Sequence, residues 1–130
     1  LPGWGAMRAI GDPTFDAWLI GQYQAARDVF AAGGATVVWL TAPCTGTVWT
    51  GFAIAETGAF ENTRIDALNR SILPAVTGVR VVDLHAAACP WGGFSNDLGG
   101  VDPARPDGLH FVEQAGLYIA DVIGPQIIAG

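Results

Sequence analysis

Lysine is absent from this 130-residue chain: its six cations are all arginine, set against twelve Asp and Glu for a net charge of −6. Phosphate neutralisation needs a basic face, so this balance argues against a nucleic-acid partner. Long apolar runs are missing too. Mean hydropathy is positive at +0.37, yet no stretch approaches the roughly 18 uninterrupted apolar residues of a membrane-spanning helix. Serine occurs only as Ser71 and Ser95, which leaves serine chemistry two local candidates. Cysteine is confined to Cys44 and Cys89 and histidine to His85 and His110, and their spacing matches no usual zinc framework. No Gly-rich phosphate loop joins a strand to a helix, which weakens a reading as a phosphate-cradling nucleotide- or periplasmic-binding-type domain. The chain opens on Leu1 with no initiator Met, no basic n-region and no signal-type apolar core, so it is expected to be the interior of a longer protein.

What is present is 51% hydrophobic and 14% charged, the balance of one globular domain over residues 1–130. The 18 Gly and 8 Pro fall between apolar periodic segments and follow no repeat, which fits a loop-rich enzyme-like domain. Gly11-Asp12-Pro13 is a helix start, with Asp12 as the cap and Pro13 at the first helical position. Phe15, Trp18, Leu19, Tyr23, Ala26, Val29 and Phe30 then recur at helical spacing until Gly33-Gly34. Residues 35–41 read as a strand buried on both faces, and residues 42–60 as a long loop. Thr63-x-x-Asp66 resembles a capping box opening a second helix with Ile65, Leu68, Ile72 and Val76 on its apolar face, and Pro74 loosens its last turn. Residues 79–84 form a second buried strand, residues 85–109 a Gly/Pro-rich segment, and a final helix carries Phe111, Ala115, Tyr118, Ile119, Val122, Ile123 and Ile127.

This alternation predicts an α/β fold with a parallel sheet. Both strands have the composition of central strands, so their neighbours are expected elsewhere in a parent chain. Reactive groups in such sheets gather beyond the carboxyl ends of the strands. There lie Thr41 to Cys44 and Asp83 to Cys89, and the block Arg105-Pro106-Asp107-Gly108-Leu109-His110 can fold over the same edge.

Asp107 and His110 are the strongest catalytic pair. A carboxylate three residues before a histidine, with a flexible Gly between, can accept the Nδ1 proton and keep Nε2 as a general base. The structural alternative has Asp107 capping the final helix and His110 packing at its start. Neither serine completes a triad convincingly: Ser71 lies inside the second helix without a strand-to-helix elbow, and Ser95 reads as a turn.

The block Arg105 to Phe111, preceded by Val81-Val82-Asp83-Leu84, resembles the Asp-x-x-His block of the SGNH (GDSL-like) hydrolases. With Gly11-Asp12-Pro13, Trp39-Leu40-Thr41-Ala42-Pro43-Cys44, Arg64-Ile65-Asp66-x-Leu68-Asn69 and Cys89-Pro90, the chain from Gly11 onward is similar to SGNH domains fused to membrane acyltransferases that decorate cell-surface glycans. The resemblance implies a three-layer flavodoxin-like SGNH fold, here only its C-terminal portion. It also implies His110 as base, Asp107 as its orienting carboxylate, an acyl-ester substrate on a glycan or small molecule, no cofactor and no metal. The family's nucleophile block, Gly-Asp-Ser, and its oxyanion-hole Gly and Asn blocks are not visible in this chain, so the serine is expected from an upstream segment and these residues alone are expected to be silent.

Cys44 and Cys89 each follow a strand at the same sheet end, and a disulfide between them favours an oxidising, extracytoplasmic compartment. Two buried thiols, or a Cys44 nucleophile paired with His110, are the alternatives. His85 either lines the site or is satisfied by backbone. Asp83 is expected to cap residues 86–88, and Asn69 to anchor a buried loop. Trp49, Phe52 and Trp91 in the long loops, with Phe94, can stack on sugar rings or cover an acyl chain, whereas Trp4 and Trp18 are assigned to the core. A non-catalytic carbohydrate-binding or interaction module built on those aromatics is the competing reading.

Overall fold

The structure, a computed structural model, describes residue 5 and residues 8–46 and 62–129. The first helix, α1 (Pro13–Ala31), starts as the sequence predicts: the Asp12 carboxylate accepts from the backbone N–H groups of Thr14 and Phe15 at 2.9 and 3.1 Å. It ends in a turn in which Gly34 adopts φ 84°.

The two strands are shorter than their apolar runs. β1 (Val38–Leu40) and β2 (Arg80–Val82) pair in parallel, Val38 opposite Arg80, Trp39 opposite Val81 and Leu40 opposite Val82. Side-chain alternation then separates the two faces. Trp39 meets the rings of Tyr23 and Phe30 from α1 at 5.6 and 6.2 Å. On the other face Val82 and Val38 join a core with Cys44, Ala88, Cys89, Leu98 and Ala115, Ile119 and Ile123 of the last helix, α4 (Glu113–Ile128). Arg80 fastens that helix to the sheet, donating to the carbonyl of Gln126 at 2.7 Å and to that of Ile127, where the helix dipole favours a cation.

The expectation that both strands are buried on both faces is not met. Leu40 and Val81 are exposed, because among the described residues each strand has one hydrogen-bonded neighbour and the sheet has two strands. The apolar stripe of α1 is likewise only partly covered. It has no buried residue, Trp18 is half-buried beside Phe15, and Val29 and Phe30 are 72% and 60% exposed. Trp18 is therefore not core; Trp4 lies outside the described residues.

The connection from β1 to β2 departs from a regular helix. α2 (Asn62–Ala67) widens into a π-helical turn over Leu68–Ile72, where the Leu73 N–H reaches back to the Leu68 carbonyl, and closes in a 3-10 turn, Leu73–Ala75, that contains Pro74. The predicted loosening at Pro74 therefore begins a full turn earlier. The Thr63/Asp66 capping box does not form. Thr63 sits inside the helix, while the Asn62 amide exchanges two hydrogen bonds with the backbone of Thr45, at 2.9 and 3.1 Å. After β2, α3 (Leu84–Ala88) is capped by Asp83, whose carboxylate accepts from the Ala86 N–H at 2.9 Å as expected. Phe111 and Val112 precede α4 and pack against the core instead of opening the helix.

Candidate active site

Cys44 and Cys89 form the disulfide foreseen in the sequence, with Cα atoms 6.1 Å apart. This excludes both a free-thiol pair and a Cys44 nucleophile. The bridge ties the segment leaving β1 to the end of α3, and the segment carrying Asp107 and His110 is laid across that tie.

Arg105 holds it there. The side chain is 1% exposed and donates to the carbonyls of Cys44 at 2.6 Å, Ala88 at 2.8 Å and Ser95 at 3.3 Å. Its guanidinium lies over the rings of Phe94 and Phe111, at 4.4 and 5.2 Å from their centres. Burial pulls its pKa down from the ordinary guanidinium value, but an arginine keeps its charge in proteins. Carbonyl dipoles and ring faces, not a carboxylate, carry the compensation. Asn96 closes the loop below, accepting the Arg105 N–H at 2.6 Å on its side chain and the Ala104 N–H at 2.7 Å on its carbonyl.

A second clamp lies two residues from the candidate base. The Gly46 N–H donates to the Gly108 carbonyl at 2.8 Å. Gly108 has φ 78°, and a Cβ there would meet the Gly46 carbonyl oxygen at 3.1 Å; one on Gly46 would meet the Phe94 ring at 2.8 Å. Gly108 takes a positive φ that other residues rarely adopt and lets the two backbones approach, whereas a side chain at position 46 would displace the Phe94 ring.

Between these clamps Asp107 and His110 come together. Asp107 Oδ1 accepts from the N–H groups of Leu109 and His110, at 2.9 and 2.8 Å, and Oδ2 lies 2.6 Å from His110 Nδ1. The His110 hydrogen bond, followed by the two backbone donors, lowers the Asp107 pKa to about 2. The carboxylate is thus ionised at neutral pH, and it accepts Nδ1–H. The imidazole side chain is 71% exposed. Asp107 does not cap α4: its backbone partners are Leu109 and His110, and Val112 occupies the N-cap position with no side-chain cap.

Ser95 forms a local turn, donating to the Asp97 carbonyl at 2.8 Å and accepting its N–H at 3.1 Å. Ser71 is exposed in the π-helical turn. Trp91 is 98% exposed on a 3-10 turn just past Cys89, with φ 59°, a conformation that bulky side chains rarely adopt. Trp49 and Phe52 lie outside the described residues. Among the described residues no three His, Cys, Asp or Glu groups are placed to hold a metal, and no helix is long and apolar enough to cross a membrane. The disulfide is consistent with an extracytoplasmic location.

Sequence reasoning missed Arg105 and Thr41. Thr41 is buried, donates to Asp83 Oδ1 at 2.9 Å and accepts the His85 N–H at 2.8 Å, joining the ends of the two strands. Nothing in spacing separates Arg105 from a surface arginine, because its main partners are carbonyls 61 and 17 residues away. Comparison of the chain with protein-family models, with curated proteins and with solved structures returned no match.

Proposed function

We propose that these residues form the C-terminal portion of a three-layer, flavodoxin-like SGNH hydrolase domain whose chemistry is acyl transfer from an ester. The carrying observation is the 2.6 Å contact between Asp107 Oδ2 and His110 Nδ1 on a backbone-locked, ionised carboxylate. A histidine so held keeps one tautomer, with Nε2 as the proton acceptor. His110 Nε2 takes the proton of a serine hydroxyl as its oxygen attacks the ester carbonyl, then returns it to the departing alkoxide. Water as the final acceptor gives an esterase, and a glycan hydroxyl an O-acyltransferase.

Ser95 is committed to its own turn and Ser71 sits in the π-helical turn, so the nucleophile and the oxyanion donors come from a preceding segment of a longer protein, in line with fusion to a membrane acyltransferase domain. Trp91, with Trp49 and Phe52, contacts the glycan or acyl part of the substrate. The 130-residue chain alone is then silent toward p-nitrophenyl acetate. Turnover that vanishes in His110→Ala but survives in Ser71→Ala and Ser95→Ala overturns this assignment of the nucleophile.

The exposed, strained Trp91 favours one competing reading, a carbohydrate-binding module without catalysis. Glycan binding lost in Trp91→Ala and untouched by His110→Ala, with no ester turnover in the longer protein, is its signature.

A further inference from the structure

A pocket of about 190 Å³ opens at the strand ends on the α2 side, lined by Thr41, Asp66, Asn69, Arg70, Asp83 and His85. None of these six belongs to the Asp107–His110 pair. All six lining residues carry polar side chains, although their aliphatic carbons supply about half of the wall, and the hydrogen-bonding capacity can be followed atom by atom.

Thr41 Oγ1 is occupied by Asp83 and the His85 N–H. Asn69 is also committed: it accepts the Ala42 N–H and donates to the Ala42 carbonyl, both at 2.8 Å. His85 Nδ1 lies 3.1 Å from that same carbonyl and 3.5 Å from the Asn69 amide nitrogen; the shorter contact, to an oxygen that can only accept, assigns the proton to Nδ1 and leaves Nε2 an acceptor. Asp83 uses Oδ1 for both of its bonds. Asp66 and Arg70 form no ion pair or side-chain hydrogen bond among the described residues, although they lie one turn apart. The capacity left over is one five-donor guanidinium against two carboxylates and an imidazole nitrogen. The π-helical turn, a distortion that recurs at functional sites, carries Asn69 and Arg70 into this lining.

The geometry points to a binding site for one polyhydroxylated ring, a pyranose or a cyclic polyol of that size. Each hydroxyl both donates and accepts, so vicinal hydroxyls satisfy Asp66, Asp83 and His85 as donors and Arg70 as acceptors. A metal ion does not fit, since no three His, Cys, Asp or Glu groups among the described residues converge on one point. A simple anion would face two carboxylates, and a simple cation would face Arg70. The volume lies below the roughly 300 Å³ at which drug-sized sites begin, which admits a single ring and not an oligosaccharide. With no Phe, Tyr or Trp in the lining among the described residues, the affinity is weak and rests on hydrogen bonds. This site stands independently of the ester chemistry.

The test is a titration of the ¹⁵N-labelled 130-residue chain with D-glucose, D-galactose and D-mannose, and in separate arms with sodium acetate and calcium chloride. Saturable shifts of the Asn69 side-chain amide and the His85 ring with at least one sugar are expected, weakened about tenfold or more in Arg70→Gln and in Asp66→Asn. His110→Ala and Trp91→Ala leave them unchanged, which separates this site from the proposed catalytic pair and from the loop aromatics. Both pocket variants replace exposed or half-exposed side chains that hold nothing else, and the wild-type titration alone decides if either fails to fold. No saturable shift with any of the three sugars overturns the proposal, as does saturation by acetate or calcium alone or binding that survives both pocket variants.

Discussion

The buried guanidinium of Arg105 donates to the main-chain carbonyl of Cys44 at 2.6 Å, across 61 residues of sequence. A charge is thereby placed directly behind the disulfide, and the Asp107–His110 turn begins two residues later. Arg105→Met keeps much of the volume but leaves the carbonyls of Cys44 and Ala88 without their donor. We expect a loss of about 3 kcal/mol in urea denaturation. Arg105→Lys recovers only part of it, because an ammonium cannot fork to two carbonyls while stacking on Phe94.

Reduction of Cys44–Cys89 releases a loop with a sequence separation of 45. The chain-entropy relation gives a destabilisation of about 4 kcal/mol for a loop of that size. Denaturation midpoints of the oxidised protein and of the Cys44→Ala/Cys89→Ala double variant measure it.

Asp107 titrates at about 2 in the folded chain, below the ordinary carboxylate value near 4. A depressed folded pKa contributes stability that is present above the unfolded value and is lost as pH falls through about 2. A ¹³C titration of the Asp107 carboxyl is expected to show that low midpoint, and His110→Ala to raise it only partway, because the Leu109 and His110 backbone donors remain.

Gly108→Ala meets two obstacles at once, φ 78° and the Gly46 carbonyl. The expected cost is about 1–3 kcal/mol. The Asp107 midpoint should also rise, because the turn that aims its oxygens is displaced.

The parts legible in the sequence were those fixed by neighbours along the chain. Asp12 and Asp83 cap because their acceptor atoms lie within three residues of the helix N–H groups they serve. Ser95 makes its turn for the same reason, and Asp107 reaches His110 because one Gly lets the turn close. Asn69 is legible as an anchor from its place beside an apolar helix residue, and the cysteine pair from its places after two strands. The illegible parts depend on distant backbone. Arg105 is buried by carbonyls that carry no side-chain signature, and the Thr63/Asp66 box yields because Asn62 reaches across to Thr45 and a π-helical turn replaces the regular helix. The apolar run is longer than the strand: Val37 and Thr41 are buried, but the ladder between them spans Val38 to Leu40.

The proposed role of His110 turns on its tautomer, which the long-range ¹H–¹⁵N spectrum of the imidazole reports once the ring is neutral. With Asp107 Oδ2 at 2.6 Å, the wild-type ring is expected almost wholly in the Nδ1–H form, and Asp107→Ala to return it to the mixture of a free histidine. A wild-type ring with Nε2 protonated, or a tautomer ratio that Asp107→Ala leaves unchanged, contradicts Asp107 as the residue that prepares His110 to act as a base.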